Sequence, residues 1–201
     1  MTQVFRRDAP PPVARPWRAS REQGIEMSEQ EQGQSGAQDR AREVEQVALL
    51  VPGLNDVLEQ VLHMTGMRFA AVARVTESRW TALAVLDRWQ FGLKPGDDLV
   101  IEKTICNEVR KHRQVVAFSH ASADPRFASH PLPALYGFES HVSVPIYLES
   151  GEMFGTLCAL DPEPRMVTDA LVGEIVELAG LIGGTLSQDL AAVDVDGRSA
   201  A

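Results

Sequence analysis

Six side chains stand out as able to do chemistry or hold a small molecule: Cys106, Tyr136, His141, Ser143, Thr156 and Cys158. Cys106 falls near the start of a predicted helix, where unpaired backbone amides and the helix dipole favour the thiolate, the form that meets oxidants or soft ligands. The competing reading is a small residue packed at a helix start, a common fate of a free cysteine. Cys158 lies in the apolar run Gly155-Thr156-Leu157-Cys158-Ala159-Leu160, which reads as a buried strand. His141 and Ser143 can both donate hydrogen bonds and so suit an anionic or polar ligand group, although buried polar groups often find ordinary partners. The six are candidate ligand contacts and not a catalytic set.

Other chemistries find less support. His120, Asp124, His130 and His141 form the one metal-like set, and their wide spacing lacks the short pairs of recognisable zinc or iron sites. No Gly-rich phosphate loop and no Ser/His/Asp arrangement with recognisable flanks is present. Asp124-Pro125-Arg126 reads as a turn in which Arg126 pairs with a nearby carboxylate. Trp80, Trp89 and Phe91 could rim a ligand, but aromatic residues more commonly pack in a core.

The candidate contacts need a scaffold. In residues 140–148, Val142, Val144, Ile146 and Leu148 alternate with His141, Ser143, Pro145 and Tyr147, the period of a strand with one apolar and one mixed face. Glu149-Ser150-Gly151-Glu152 turns the chain into a second strand over 153–160, an antiparallel hairpin. Parity sends Val142, Val144 and Ile146 to one face and His141 and Ser143 to the other. Upstream, Val44, Val47, Ala48, Leu50 and Val51, then Leu54, Val57, Leu58, Val61 and Leu62, predict a helix split at Pro52-Gly53. Strands are predicted over 69–76, 80–86 and 115–118, with a loop at Pro95-Gly96-Asp97-Asp98. Thr104 is the predicted N-cap of a helix ending near Lys111, one helical turn is expected over 132–136, and a last helix over 168–190. The layout is α+β, with helices at both chain ends around a mainly antiparallel sheet.

The chain's 201 residues, 44% of them hydrophobic, suffice for one ordinary core. A net charge of −9 argues against nucleic acid and against anionic membrane surfaces as partners. Apolar runs are interrupted well short of a bilayer's width, so no membrane span is expected. Two cysteines and no signal-like segment point to a cytoplasmic, reducing location. Residues 1–38, with Pro10-Pro11-Pro12 and a Gln/Glu/Ser/Gly tract, read as a disordered tail, within which Met27 is an alternative start.

The hairpin with Ser143-Val144-Pro145-Ile146 and Gly155-Thr156-Leu157-Cys158-Ala159-Leu160-Asp161 resembles the second half of a GAF domain, a sensory fold. Thr104-Ile105-Cys106-Asn107-Glu108-Val109, Gln114-Val115-Val116 and Ala123-Asp124-Pro125-Arg126-Phe127 extend the resemblance, in order and spacing, over roughly residues 45–190. It implies a central antiparallel sheet with the terminal helices on one face and a ligand pocket on the other. The corresponding division is a tail over 1–38, the domain over 39–192 and a flexible tail over 193–201. The implied role is a cytoplasmic signalling sensor with an unidentified small-molecule ligand. A homodimer through the terminal helices, and a histidine kinase or other signalling protein as partner, go with that role. The alternative is a thiol-based redox sensor, or an enzyme like the free methionine-sulfoxide reductases, using Cys106. The flanks of Cys106 and Cys158 do not reproduce that group's pattern, so neither catalysis nor an attacking-and-resolving thiol pair is expected. Residues 129–137, the usual neighbourhood of a bilin-attaching cysteine, contain none, so a covalent bilin is not expected. The Asn-Lys-Phe-Asp-Glu constellation of cyclic-nucleotide-binding relatives cannot be placed.

Overall fold

The computed structural model describes residues 29–198. In chain order these form α1 (Glu29–Leu50), α2 (Leu54–Thr65), β1 (Phe69–Val75), β2 (Arg79–Asp87) and β3 (Asp98–Val100). A 3-10 turn (Ile101–Lys103), α3 (Cys106–His112), β4 (Val116–Phe118), a second 3-10 turn (Ala121–Ala123) and α4 (Pro131–Tyr136) follow. The chain then makes β5 (Ser140–Tyr147), β6 (Met153–Asp161) and α5 (Asp169–Arg198).

The strands build one antiparallel sheet in the order β3-β2-β1-β6-β5-β4. The β5–β6 hairpin pairs His141 with Leu160, Ser143 with Cys158 and Val144 with Leu157. Because side chains alternate across a strand, this register sorts the residues into two cores. Val72, Val142, Val144, Ile146 and Leu157 face the terminal helices, meeting Leu58 and Val61 of α2 and Ile175, Ile182 and Leu186 of α5. Phe69, Ala71, Cys158 and Leu160 face the other way, toward Ile101, Ile105, Cys106, Leu132, Tyr136 and Phe138. The α2 positions Leu54, Leu58, Val61, Leu62 and Thr65 are buried at helical spacing. Full burial of a side chain such as Leu58, Ile175 or Ile182 contributes about 1.5–3 kcal/mol.

Several boundaries differ from expectation. The first helix starts at Glu29, inside the segment read as a tail to residue 38, because Glu, Gln, Ala and Arg favour helix even without an apolar stripe. Residues 1–28, with Met27 and the proline run, lie outside the described residues, as do 199–201. The last helix continues to Arg198, past the expected boundary at 192. Its segment Asp169–Gln188 has a mean hydropathy of 1.5 and is long and apolar enough to cross a membrane; the sequence reading passed over it because Glu174 and Glu177 interrupt the run. Here Ile175, Leu178, Ala179, Ile182 and Leu186 of that helix are buried on the sheet. Strand β3 is an element the sequence does not announce, since three residues cannot display an alternating pattern; it begins at Asp98, the last residue of the expected loop. It is pinned instead by side chains: Thr81 Oγ1 donates to Asp98 Oδ1 at 2.6 Å and Arg79 Nη1 to Asp98 Oδ2 at 2.6 Å.

The two ends of the central strands are tied by Arg68 and Asp161. The guanidinium donates from Nε and Nη2 to the two carboxylate oxygens, each at 2.8 Å. Burial pushes the Asp161 carboxyl upward, and Arg68 and the Glu163 amide together hold it below the ordinary carboxylate range.

Candidate functional site

The sheet face turned away from the terminal helices carries a cavity of about 50 Å³. Its floor is Phe69, His141, Cys158 and Leu160, and its roof and walls are Trp80, Phe91, Leu93, the 3-10 turn before α3, Cys106, and Leu132 and Tyr136 of α4. Lys103, also in the wall, is exposed.

His141 is 3% exposed, and neither ring nitrogen has a hydrogen-bond partner among the described residues. Its ring packs beside Phe118 and Phe138, with centroids 5.5 and 5.7 Å away. Burial in this aromatic setting lowers its pKa to about 3, so the imidazole is neutral at physiological pH. A neutral imidazole has one N–H donor and one acceptor, and both are unspent.

Cys106 is the first residue of α3, and its sulfur is surrounded by donors. Thr156 Oγ1 donates to Sγ at 3.3 Å, and Ser143 Oγ lies 3.5 Å away. The Cys158 thiol and the Trp80 indole also favour the charged form of Cys106. These groups, Cys158 foremost, lower the Cys106 pKa to about 7 against the opposing effect of burial. The Cys158 thiol, facing that developing charge in a buried setting, is pushed well above its usual value. The expected cap is corrected: Thr104 does not cap α3 but donates its hydroxyl back to the Ile101 carbonyl at 2.8 Å, and side-chain donors favour the thiolate. Cys106 and Cys158 line one cavity, with the Cys106 sulfur 3.5 Å from the hydroxyl of Ser143, the residue opposite Cys158 in the β5–β6 register. Alkylation of Cys106 in the folded protein is expected to follow a midpoint near pH 7. Thr156→Val, which removes a donor to the thiolate, should move that midpoint toward the ordinary value near 8.5.

Of the six candidate contacts, Tyr136, His141, Cys106 and Cys158 line the cavity, whereas Ser143 and Thr156 sit against the Cys106 sulfur. The Tyr136 hydroxyl is already engaged, donating to the Lys103 carbonyl at 3.0 Å and tying α4 to the turn before α3. Trp80 and Phe91 serve in both capacities weighed for them, buried packing and cavity wall. The metal-like set is dispersed: His130 Nδ1 accepts the Leu132 amide at the start of α4, and His120 faces Glu139. No group of three metal-ligating side chains occurs among the described residues. Asp124 and Arg126 pair at 2.7 Å, as the turn reading expects.

Sequence reading missed Asp87. Its carboxylate accepts the amides of Trp89, Phe91 and Gly92 at 3.1, 3.0 and 2.7 Å. This holds the loop after β2 so that Phe91 meets Phe69 edge-on at 5.2 Å and Tyr136 at 6.0 Å across the cavity. The signal was an aspartate followed by a glycine-containing loop, the pattern of a side chain that organises its own turn.

An antiparallel sheet with helices on one face and a mostly apolar cavity on the other defines an α+β domain of the class expected from the sequence. The family model of the GAF domain matches residues 51–186, and the chain belongs to that family. Solved structures agree on the fold. The GAF domain from an Acinetobacter phosphoenolpyruvate-protein phosphotransferase is 17% identical with a TM-score of 0.56, over 80% of this chain and 96% of that one. The blue-light absorbing form of the PixJ GAF domain from Thermosynechococcus elongatus is 13% identical with a TM-score of 0.58, over 88% and 96%. The type II free methionine-R-sulfoxide reductase from Thermoplasma acidophilum is 10% identical with a TM-score of 0.55, over 71% and 95%. No curated protein sequence matches the chain.

Proposed function

We propose that this protein is a cytoplasmic sensor that binds a small molecule in the cavity and signals through its terminal helices. The observation that carries the reading is His141: a buried imidazole with two unspent hydrogen-bonding nitrogens on the cavity floor. An unpaired buried polar group costs about 1–3 kcal/mol, a cost a ligand able to bond the ring would remove. The cavity's volume admits a ligand of few non-hydrogen atoms, and a larger one requires α4 and the 88–93 loop to move outward.

The output surface in this reading is the outer side of α1 and α5. Leu49 is 80% exposed, Leu181 67% and Val176 44%, apolar area suited to a second copy or to a helix of a partner such as a histidine kinase. Light scattering is expected to return a dimer that Leu181→Glu dissociates; a monomer for the unsubstituted chain would remove the dimer from the account.

Ligand binding is tested by thermal shift against amino acids, nucleobases and short carboxylic acids. A compound present at a hundred times its Kd stabilises the fold by about 2.7 kcal/mol. The expected result is a shift in the wild-type protein that His141→Phe abolishes. A compound that stabilises both proteins equally binds elsewhere and counts against His141 as the contact.

A further inference from the structure

The thiols of Cys106 and Cys158 are a feature of the cavity that ligand sensing leaves unused. Both are free, 4% and 3% exposed, and both line the cavity, Cys158 in its floor and Cys106 in its wall. They come from different layers, Cys106 from the start of α3 and Cys158 from the middle of β6, opposite Ser143 in the β5–β6 register. Ser143 and Thr156, the hydroxyls beside the Cys106 sulfur, are fully buried and have no other side-chain task. A site built only for packing has no use for such donors; a thiolate does.

We propose that Cys106 and Cys158 are a hydroperoxide-oxidised dithiol pair that closes to a disulfide across the cavity, joining the start of α3 to β6. In the first step the Cys106 thiolate attacks the terminal oxygen of a small hydroperoxide. The S–O bond forms, the O–O bond breaks, and the alkoxide or hydroxide leaves with a proton as alcohol or water. Cys106 is then a sulfenic acid. In the second step the Cys158 sulfur attacks the Cys106 sulfur, the S–S bond forms, the S–O bond breaks, and the departing hydroxide takes the Cys158 proton as water. Two thiols supply the two electrons that reduce one peroxide, and an external dithiol restores the pair.

The protonation pattern fits these roles: Cys106 ionises more readily than an ordinary thiol, and Cys158 stays protonated until Cys106 has lost its charge. The cavity has room for a peroxide of few atoms, and Lys103 in its wall is exposed. This activity goes beyond ligand sensing, since it uses the sulfur atoms and does not need His141.

The experiment treats the full reduced chain with hydrogen peroxide and reads intact mass and peptide maps. The expected product has lost two hydrogens, carries a Cys106–Cys158 disulfide within one chain, and reverts with dithiothreitol. Cys158→Ser is expected to stop at a Cys106 sulfenic acid that dimedone traps, and Cys106→Ser to leave Cys158 unoxidised. Thr156→Val, which preserves shape, is expected to slow oxidation several-fold near pH 7 and little near pH 9, a pH signature that a packing role would not give. The proposal is overturned if both thiols persist in the folded wild type under peroxide that oxidises the unfolded chain. It is also overturned if Cys158 oxidises without Cys106, or if the disulfide links separate chains. A His141→Phe protein that loses ligand response but still forms the disulfide separates this activity from sensing.

Discussion

Replacing His141 with Phe is expected to make the unliganded protein more stable than wild type while removing its response to ligand. The imidazole is buried against Phe118 and Phe138 with neither nitrogen bonded, and a phenyl ring takes its place beside the cavity without polar atoms. At neutral pH the gain is about 1 kcal/mol or more, the lower end of the cost of one unpaired buried polar group. Acid should widen the gap. Burial depresses the folded pKa to about 3, whereas the unfolded chain titrates near 6.5. Between those values the unfolded state holds a proton that the folded state refuses. The stability associated with neutral His141 is therefore complete above about pH 6.5 and is lost as pH falls toward the folded value, at about 1.4 kcal/mol per pH unit. Urea denaturation of the two proteins at about pH 7 and about pH 5 should show a difference larger by roughly 2 kcal/mol at the lower pH. A gap independent of pH would mean that His141 takes up a proton in the folded protein as readily as in the unfolded chain.

Gly183→Ala is expected to cost about 3 kcal/mol, while Gly184→Ala, one residue along, costs nothing or gains up to about 1 kcal/mol. A Cβ on Gly183 would stand 2.0 Å from the Tyr147 carbonyl oxygen and 3.0 Å from its carbon, backbone atoms that cannot swing aside. The helix α5 must then lift from β5, loosening Ile182 and Leu186, both 1% exposed, from the sheet. Gly184 has nothing within 4 Å of its would-be Cβ, so Ala there brings only its better helix propensity. Equal effects at the two positions would show that α5 does not sit on β5 at Gly183. If α5 carries the signal, Gly183 is also where the sheet that floors the cavity grips the output helix.

The sheet and its two faces were legible because strand alternation is a local property. Val142, Val144 and Ile146 point to the terminal helices and His141 and Ser143 away from them, as their parity requires. The split at Pro52-Gly53 was equally local, since Gly53 stands at φ +85° between α1 and α2. What stayed hidden depends on contacts between distant segments. Nothing in the sequence near Cys106 or Cys158 says that α3 crosses β6 at that point, so the thiol pair emerged only from the fold. Its thiolate-favouring donors come from three strands, which is why a helix-start argument reached the residue and not its side-chain donors. Thr104 has the residue type of a cap, yet the preceding 3-10 turn offers its hydroxyl a nearer acceptor. The orphaned state of His141 was likewise invisible, because it is a statement about every neighbour at once.

The central claim is that the cavity over His141 holds a small molecule, and native mass spectrometry of protein purified from its own host tests it most directly, with absorbance of the same sample. The account predicts wild-type protein heavier than its polypeptide by one small ligand that denaturation releases, and a His141→Phe protein from the same host at the bare polypeptide mass. The same adduct on both proteins, or the bare mass for wild type together with no thermal shift from any tested compound, would contradict it.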